Sequence, residues 1–594
     1  MSATNRSWLE TIRGAAPILL IAPHGGRAGA AAAATLHPKV NDLETAAIAR
    51  ELAARLDASA LINSGMDRNQ LDCNRVDQIA AQAPWLFELI KDELARILDD
   101  AGRATVLLIH GWNIIEPRVD LGLGVRERAG RLQPTGAAFV SASDAFINGP
   151  AAALSKRLRA AAITPSFGLR YPGGGAQNLL QAFTQRHAAS TDPRLRAIAQ
   201  LATERLDALQ LELSVALRLP GPQRRAALDA VVETFSCDAP SLTAPALKID
   251  RGPAPLRPKK VSTAPRDLPP VRIGVEFYDP ETRLGGMASF DFGPNAAGGR
   301  IMMLFERHHV ALFTGEGGAA REGSRLSLGP LSFDGARSGG ALRFSGPAVV
   351  VSDSAAYLSV ERALAQGRID PAMEVEAAFA FEDADADFAA LLATLEAALT
   401  RDAAPDSSWR ELERTLPRYA AFGRLRGFVR CEGRRRELNA VSRVGISFTA
   451  LGPQRFVERR MVWACSNSGS AGQIAVELRE LRLGEHARQG KALVRAGGSW
   501  REAELPVFAL ETQSALAPPD AIHATVHLDG RKMELIGTPE TFMSLSRPGA
   551  DGARIHTMLG FSVFQIGQAS ACGMYEYSRR VVQSPDANGD TGED

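Results

Sequence analysis

The residues best suited to chemistry stand where short apolar runs end. The run Ala16–Ala22 gives way to Pro23-His24-Gly25-Gly26, and Ala104–Ile109 gives way to His110-Gly111. Both runs have the length and branching of buried strands in a parallel or mixed sheet. Ligands of open α/β sheets bind at the carboxyl ends of strands, so each histidine stands where a site belongs. One such histidine reads equally well as a hydrogen-bonded structural group. Two of them, joined by a carboxylate, make the three-ligand, one-open-position zinc site that hydrolysis requires.

The carboxylate is sought in Val40-Asn41-Asp42-Leu43-Glu44-Thr45. From Leu43 onward Ala46, Ala47, Ile48, Leu52 and Leu56 recur at helical spacing, which predicts a helix. Asp42 is a natural N-cap for it. Glu44, in its first turn, either complements the helix dipole or ligates a metal. A second strand, Ala58–Ser64, leads into the polar stretch Gly65–Arg75. There Arg68 and Arg75, with Asn69 and Asn74, offer a clamp for a substrate carboxylate, because guanidinium binds carboxylate through two parallel hydrogen bonds. After the amphipathic helix Trp85–Leu98 and the His110 strand, Asp120–Gly124 reads as a tight turn. Tyr171–Gly175 reads as a loop able to form a site wall. In Ala208–Ser214, Leu209, Leu211 and Leu213 alternate with Gln210, Glu212 and Ser214, a strand with one polar face. Glu212 on that face is suited to take a proton from an attacking water.

These elements must be positioned by a chain of 594 residues, long enough for two to four domains. Sixty-eight Lys+Arg balance 67 Asp+Glu, so neither a basic field for nucleic acid nor an acidic tail is implied. The five cysteines (Cys73, Cys237, Cys431, Cys465, Cys572) form no CxxC and no even framework, which suits a reducing compartment. Met1–Ala15 is polar, and no apolar run approaches the roughly 20 residues that span a bilayer. The expectation is a cytoplasmic protein without a membrane span, and oligomeric state is left open.

In order along the chain, PHGG, D-x-E-T ahead of a helix, DRNQLDCNR, LLIHG, DLGLG and ALQLELSVALR resemble the N-formylglutamate amidohydrolase family over residues 15–236. Phage poly-γ-glutamate hydrolases and, more distantly, zinc carboxypeptidases share that family's core. The resemblance implies a three-layer α/β sandwich with a mixed sheet and Zn2+ held by His24, Glu44 and His110. Glu212 would be the general base, and Arg68, Asn74 and Arg75 would hold the substrate carboxylate. The long alanine-rich loop before the acidic ligand leaves Asp42 as the alternative to Glu44. Gly111 and Trp112 depart from the family pattern, as does the loop Asn113–Arg118.

Beyond residue 237 the texture changes. The proline-rich stretch Asp238–Pro270, with Pro253, Pro255, Pro258, Pro265, Pro269 and Pro270, predicts a semi-extended linker over 238–270. Short alternating runs cut by glycine follow: Ala288–Phe292, Arg300–Phe305, Val310–Phe313, Arg325–Phe333 and Gly340–Phe344, which predict an antiparallel barrel or sandwich. Asp385–Arg401 and Ser408–Leu416 read as helices between two β domains, 271–416 and 417–585, with a disordered tail over 586–594. Strands in the second are expected at Gly423–Glu432, Val444–Thr449, Arg459–Ala464 and Gln473–Leu483. Val429–Arg434 echoes Val526–Arg531, each followed by Glu-Leu. His308-His309, His523 and His527 lack chelating geometry on strands.

Tyr278-Asp279-Pro280-Glu281, Gly285-Gly286, Ser345-Gly346-Pro347 and Gly573–Tyr577 resemble tandem lipocalin-like proteins of the carotenoid hydratase and terpenoid-cyclase superfamily. That resemblance implies barrels with an apolar cavity and a hydrophobic ligand. The sequence therefore predicts a zinc amidohydrolase for an N-formyl or N-acyl amino acid, a small molecule whose apolar portion the β half binds. The other expectation is that the β half itself does the work, as a lipid- or isoprenoid-binding module or a cyclase/hydratase.

Overall fold

The two histidine-bearing strands lie side by side in the computed structural model. It describes residues 6–27, 39–128, 130–135, 138–236, 248–249, 271–292, 297–305, 309–317, 320–336, 339–358, 360–381, 420–448, 457–466, 474–482, 488–496, 499–512, 519–548 and 554–581. The chain divides into two compact units, 1–264 and 265–594.

The first unit is built on strands β1 (Leu9–Ile12), β2 (Ile18–Ala22), β3 (Ser59–Asn63), β4 (Ala104–Trp112), β5 (Arg118–Gly122), β6 (Val125–Arg128), β7 (Arg131–Pro134), β8 (Thr164–Phe167) and β9 (Leu206–Ser214). Seven of them form one sheet in the order β1-β3-β2-β4-β9-β5-β8. Pairing is parallel from β3 through β2 and β4 to β9, and antiparallel at β1–β3 and β9–β5. The sheet is mixed, as expected. Side chains alternate across it: Ile18 and Leu20 of β2 join one apolar cluster, Leu19 and Ile21 the other. The first cluster includes helices Thr45–Leu56 and Pro222–Phe235, the second helices Trp85–Ala101 and Pro193–Leu201, which makes three layers. Two smaller strands, β6 and β7, pair with each other, and Lys248–Ile249 (β10) adds to β7.

Two local readings change. Asp120–Gly124 is not a tight turn throughout, because Arg118–Gly122 is a strand hydrogen-bonded to both β9 and β8. Its brevity and two glycines hid it. The polar face of β9 does exist, yet Gln210, Glu212 and Ser214 are buried, so it faces protein and not solvent.

In the second unit, β11 (Val271–Asp279), β12 (Leu284–Phe292), β13 (Ala297–Phe305) and β14 (His309–Gly317) are followed by three short strands. These are β15 (Ala320–Glu322), β16 (Arg325–Leu328) and β17 (Leu331–Ala336). Then come β18 (Gly339–Val351), β19 (Arg368–Phe381), β20 (Ala420–Cys431) and β21 (Arg434–Phe448). The β11–β21 and β14–β18 pairings close eight of these strands into a barrel, with β15–β17 as an extension. The hairpin Ala420–Phe448 thus belongs to the first barrel, although a boundary at 416/417 assigns it to the second β domain. Long-range pairing of β21 with β11 decides this, and local sequence does not encode it.

Eight further strands form the second closed barrel: β22 (Glu458–Ser466), β23 (Ala475–Arg482), β24 (Arg488–Ala496), β25 (Ser499–Glu511), β26 (Ala521–Leu528), β27 (Arg531–Pro548), β28 (Arg554–Ile566) and β29 (Ala569–Val581). The expected helices over 385–401 and 408–416, and the tail over 586–594, lie outside the described residues. So does the linker over 238–270 apart from Lys248–Ile249.

The sequence echo marks two tight hairpins, with positive φ at Glu432-Gly433 and at Asp529-Gly530. That is the two-residue turn whose twist suits antiparallel strands. The first joins the seventh and eighth strands of its barrel, the second the fifth and sixth. The echo therefore reports shared turn chemistry at non-equivalent places.

Between the barrels, the fully buried Arg443 of β21 bonds Glu276 of β11 (3.0 Å) and Glu477 of β23 (3.2 Å). Burial pushes the Glu477 carboxyl up, but Arg443 and Arg479 outweigh it and hold the group at about 2. The folded value lies below that of an unfolded glutamate, about 4.3. Its stabilisation is therefore complete above that value and lost as pH falls toward 2. Urea titration should show the second unit losing stability across that interval. Arg443→Met should cost about 3–5 kcal/mol at neutral pH, because it strands two buried carboxylates. In that variant, acid should restore stability instead of removing it.

Candidate metal centre

The site forms where β2 and β4 end on the same edge of the sheet. Parallel register of β2 with β4 brings His24 and His110 together, with ring centroids 4.9 Å apart and edge to face. The chain after His24 must turn without side chains. A Cβ on Gly25 would meet the Asn63 carbonyl at 2.6 Å, and one on Gly26 the Met66 carbonyl at 1.9 Å. Asn63 fastens this turn, donating to the carbonyls of Pro23 and Met66. The loop then returns, and the Asp42 N–H donates to the His24 carbonyl (2.9 Å).

That return places the Asp42 carboxylate between the imidazoles. Its Oδ2 lies 3.2 Å from His24 Nδ1 and 3.3 Å from His110 Nδ1, and accepts from the Gly111 N–H (3.0 Å). Its Oδ1 accepts from Arg68 (3.2 Å). All three side chains are buried, and one ligand atom from each lies within 4.8 Å of the others. Among the described residues this is the group of acids, cysteines and histidines able to hold an ion.

Glu44 is elsewhere. A left-handed residue at φ +70°, it caps the helix Thr45–Leu56 without a side-chain cap bond, and its carboxylate pairs with Arg224 at 2.9 Å. Asp42, not Glu44, therefore stands with the histidines. Asp42 does not cap the helix with its side chain either; its main-chain carbonyl accepts from the Thr45 hydroxyl. The alternation of two acidic residues around Leu43 could not say which carboxylate turns inward.

The polar stretch after β3 supplies support. Asp72 accepts from His24 Nε2 (2.7 Å) and from Lys39 (2.7 Å), with Arg68 3.8 Å away. A carboxylate on the far nitrogen of a histidine fixes its tautomer and raises its basicity, the usual partner of a metal-bound imidazole. Asp72 and Lys39 were not singled out from sequence, although Asp72 lies inside the DRNQLDCNR motif. Arg68 is occupied by Asp42 and the Val40 carbonyl, and its buried Nε has no partner. Asn74 has a buried Oδ1 without a partner. Arg75 forks onto Asp77 (3.1 and 2.7 Å) and is half exposed.

Glu212 follows from strand register: it lies opposite His110 on β4 and opposite Asp120 on β5. Gln210 donates to its Oε1 at 2.8 Å. Burial, then the charges of Asp42 and Asp120, push its carboxyl well above the ordinary glutamate value. Burial also lowers His110, keeping that ring neutral and its lone pair available. Burial works against ionised Asp42, but His24, His110 and Arg68 more than offset it and hold the carboxyl well below its ordinary value. Asp120 itself accepts the N–H groups of Leu169, Arg170 and Tyr171, so it organises the loop expected as a site wall. Tyr171 in that loop packs edge-on against Trp112.

The donor set fits zinc. Two imidazole nitrogens and a carboxylate oxygen are its ordinary ligands. Ligand atoms about 2.0–2.1 Å from a tetrahedral ion stand about 3.3 Å apart, and the two Nδ1–Oδ2 separations are 3.2 and 3.3 Å. Among the described residues the other histidines supply no comparable cluster. His523 and His527 are half exposed and face Glu511 and Glu504 at 3.5 and 3.8 Å. His308 lies outside the described residues.

No family model and no curated protein matches the chain. Solved structures do. An AttH-type protein of Nitrosomonas europaea is 14% identical, with 53% of this chain and 94% of that one covered at a TM-score of 0.32. An N-formylglutamate amidohydrolase from Ralstonia eutropha is 14% identical, covering 38% and 95% at 0.26. Kievitone hydratase from Nectria haematococca is 8% identical, covering 52% and 89% at 0.29. The first of the two families that the sequence resembles thus recurs by name among them.

The placement of the two acids separates their roles experimentally. Asp42→Asn should abolish near-stoichiometric zinc binding, measured by mass spectrometry of protein equilibrated with the ion. Glu44→Gln should retain it.

Proposed function

We propose that the first unit is a zinc-dependent amidohydrolase acting on an N-formyl or N-acyl amino acid or a related amide that carries a carboxylate. The observation that carries this reading is the convergence of His24, His110 and Asp42 on one point beside Glu212, with Asp72 behind His24. A bound zinc ion would polarise the scissile carbonyl and lower the pKa of the attacking water.

The chain's own residues supply the rest. Glu212, raised in basicity by burial, takes the water's proton at its carboxylate and returns it to the leaving nitrogen. Gln210 holds one Glu212 oxygen and leaves the other to move the proton. The buried Arg68 Nε is a donor suited to the substrate carboxylate, and the unpartnered Asn74 Oδ1 is an acceptor suited to the amide N–H. Arg75 would have to release Asp77 to join them. Fixing the substrate at these points orients the carbonyl toward the reacting water.

A ligand-binding or cyclase role for the β half has less support. The apolar cluster of the second barrel draws on all eight strands, and its residues are 0–4% exposed. Eight-stranded barrels are either filled by side chains or hold one small ligand, and apolar residues this deeply buried favour the first.

The test is hydrolysis of a panel of N-formyl and N-acyl amino acids by the zinc-loaded full chain. Glu212→Gln should lower kcat by about 10²–10⁴ while zinc content stays unchanged. Absence of turnover across the panel, or a Glu212→Gln variant as active as the parent, would overturn the proposal.

A further inference from the structure

Arg218 is the one fully buried guanidinium beside the candidate centre that the reaction scheme leaves unused. It ends the short helix Val215–Arg218, four residues beyond the β9 strand that carries Glu212. Taking a guanidinium out of water costs several kcal/mol unless its donors are met. Here the two terminal nitrogens are met in a particular way, while the buried Nε has no partner. One terminal nitrogen donates to the Leu43 carbonyl (2.8 Å), and the other to Asn113 Oδ1 (2.7 Å) and the Trp112 carbonyl (3.4 Å).

Those acceptors are neutral, and they belong to two separate segments. Leu43 directly follows Asp42, and Trp112-Asn113 follows His110-Gly111. The guanidinium also lies flat against Gly111: a Cβ there would stand 2.8 Å from Arg218 Cζ. Gly111 in turn sends its N–H to Asp42 Oδ2 (3.0 Å). One side chain therefore touches the backbone beside both ligands and the peptide that links them. This also explains the departure of this sequence at Gly111, since a side chain there would displace the arginine.

We infer that Arg218 is a positioning residue that sets the spacing between Asp42 and His110, and with it the affinity of the site for a divalent ion. The inference rests on the metal-site reading above. A lysine cannot replace it, because one ammonium on a flexible stem cannot span Leu43 and Asn113 with fixed geometry. Among the described residues its hydrogen bonds go to neutral acceptors and none to a carboxylate.

The experiment measures zinc affinity by competition with a chromophoric chelator, for the full-length parent, Arg218→Met, Arg218→Lys, Gly111→Ala and the Arg218→Met/Gly111→Ala double variant. Thermal unfolding of each metal-free protein is recorded alongside. Loss of a supporting partner typically weakens metal binding 10–100-fold, and Arg218→Met and Gly111→Ala should each fall in that range. Arg218→Lys should recover part of the loss. The double variant should bind within about twofold of the weaker single variant, because both changes break the same brace.

Parent-like affinity in Arg218→Met or Gly111→Ala would overturn the inference. So would losses that multiply in the double variant, or a lowered metal-free melting temperature with unchanged affinity. A parent protein that binds no zinc would overturn the metal-site reading itself, and a parent that binds zinc sensitively to Asp42→Asn but not to Arg218→Met would overturn this inference alone.

Discussion

The first unit depends on keeping one carboxylate ionised out of water. Asp42 is 4% exposed, and an unpaired charge at such depth would cost many kcal/mol. It is tolerable because its two oxygens meet a backbone N–H, a guanidinium and two imidazoles at 3.0–3.3 Å. Those partners come from three separate pieces of chain: the turn after β2, the end of β4 and the polar stretch after β3. The tight glycine turn at Gly25-Gly26 and the parallel pairing of β2 with β4 are therefore conditions for the site as much as features of the fold.

The same economy explains the arginines around it. Arg68 meets Asp42 and lies near Asp72, Arg218 donates to the backbone beside Asp42 and His110, and Arg224 pairs with Glu44. Three acids lie within a short span of sequence or space, and each has its own cation or imidazole. Glu212 is the exception. Its partner is the neutral Gln210, and burial, with the charges of Asp42 and Asp120, raises its pKa.

The second unit is organised by closure. Each barrel removes its sheet edges by pairing its last strand with its first, or by a short added contact such as β14–β18. The interface between the barrels is polar where a buried arginine is shared by two glutamates. Such a pair contributes little net stability over apolar packing, but either acid left alone would be costly.

Much of this was legible in sequence because the signals are local. Apolar runs ending in His24 and His110, the helical spacing from Leu43, the leucine alternation before Ser214 and the glycine-cut β runs each follow from side-chain periodicity or turn chemistry. These determined a mixed α/β unit followed by antiparallel barrels, and they put both imidazoles and Glu212 at strand ends. Tertiary structure alone decided the rest. It chose Asp42 over Glu44, sent Arg75 to Asp77, put Asp72 behind His24, brought Arg218 to Gly111 and assigned the 420–448 hairpin to the first barrel. Apart from the local Arg75–Asp77 pair, these choices rest on which distant partner a charge or strand edge can reach, and spacing along the chain carries no record of that distance.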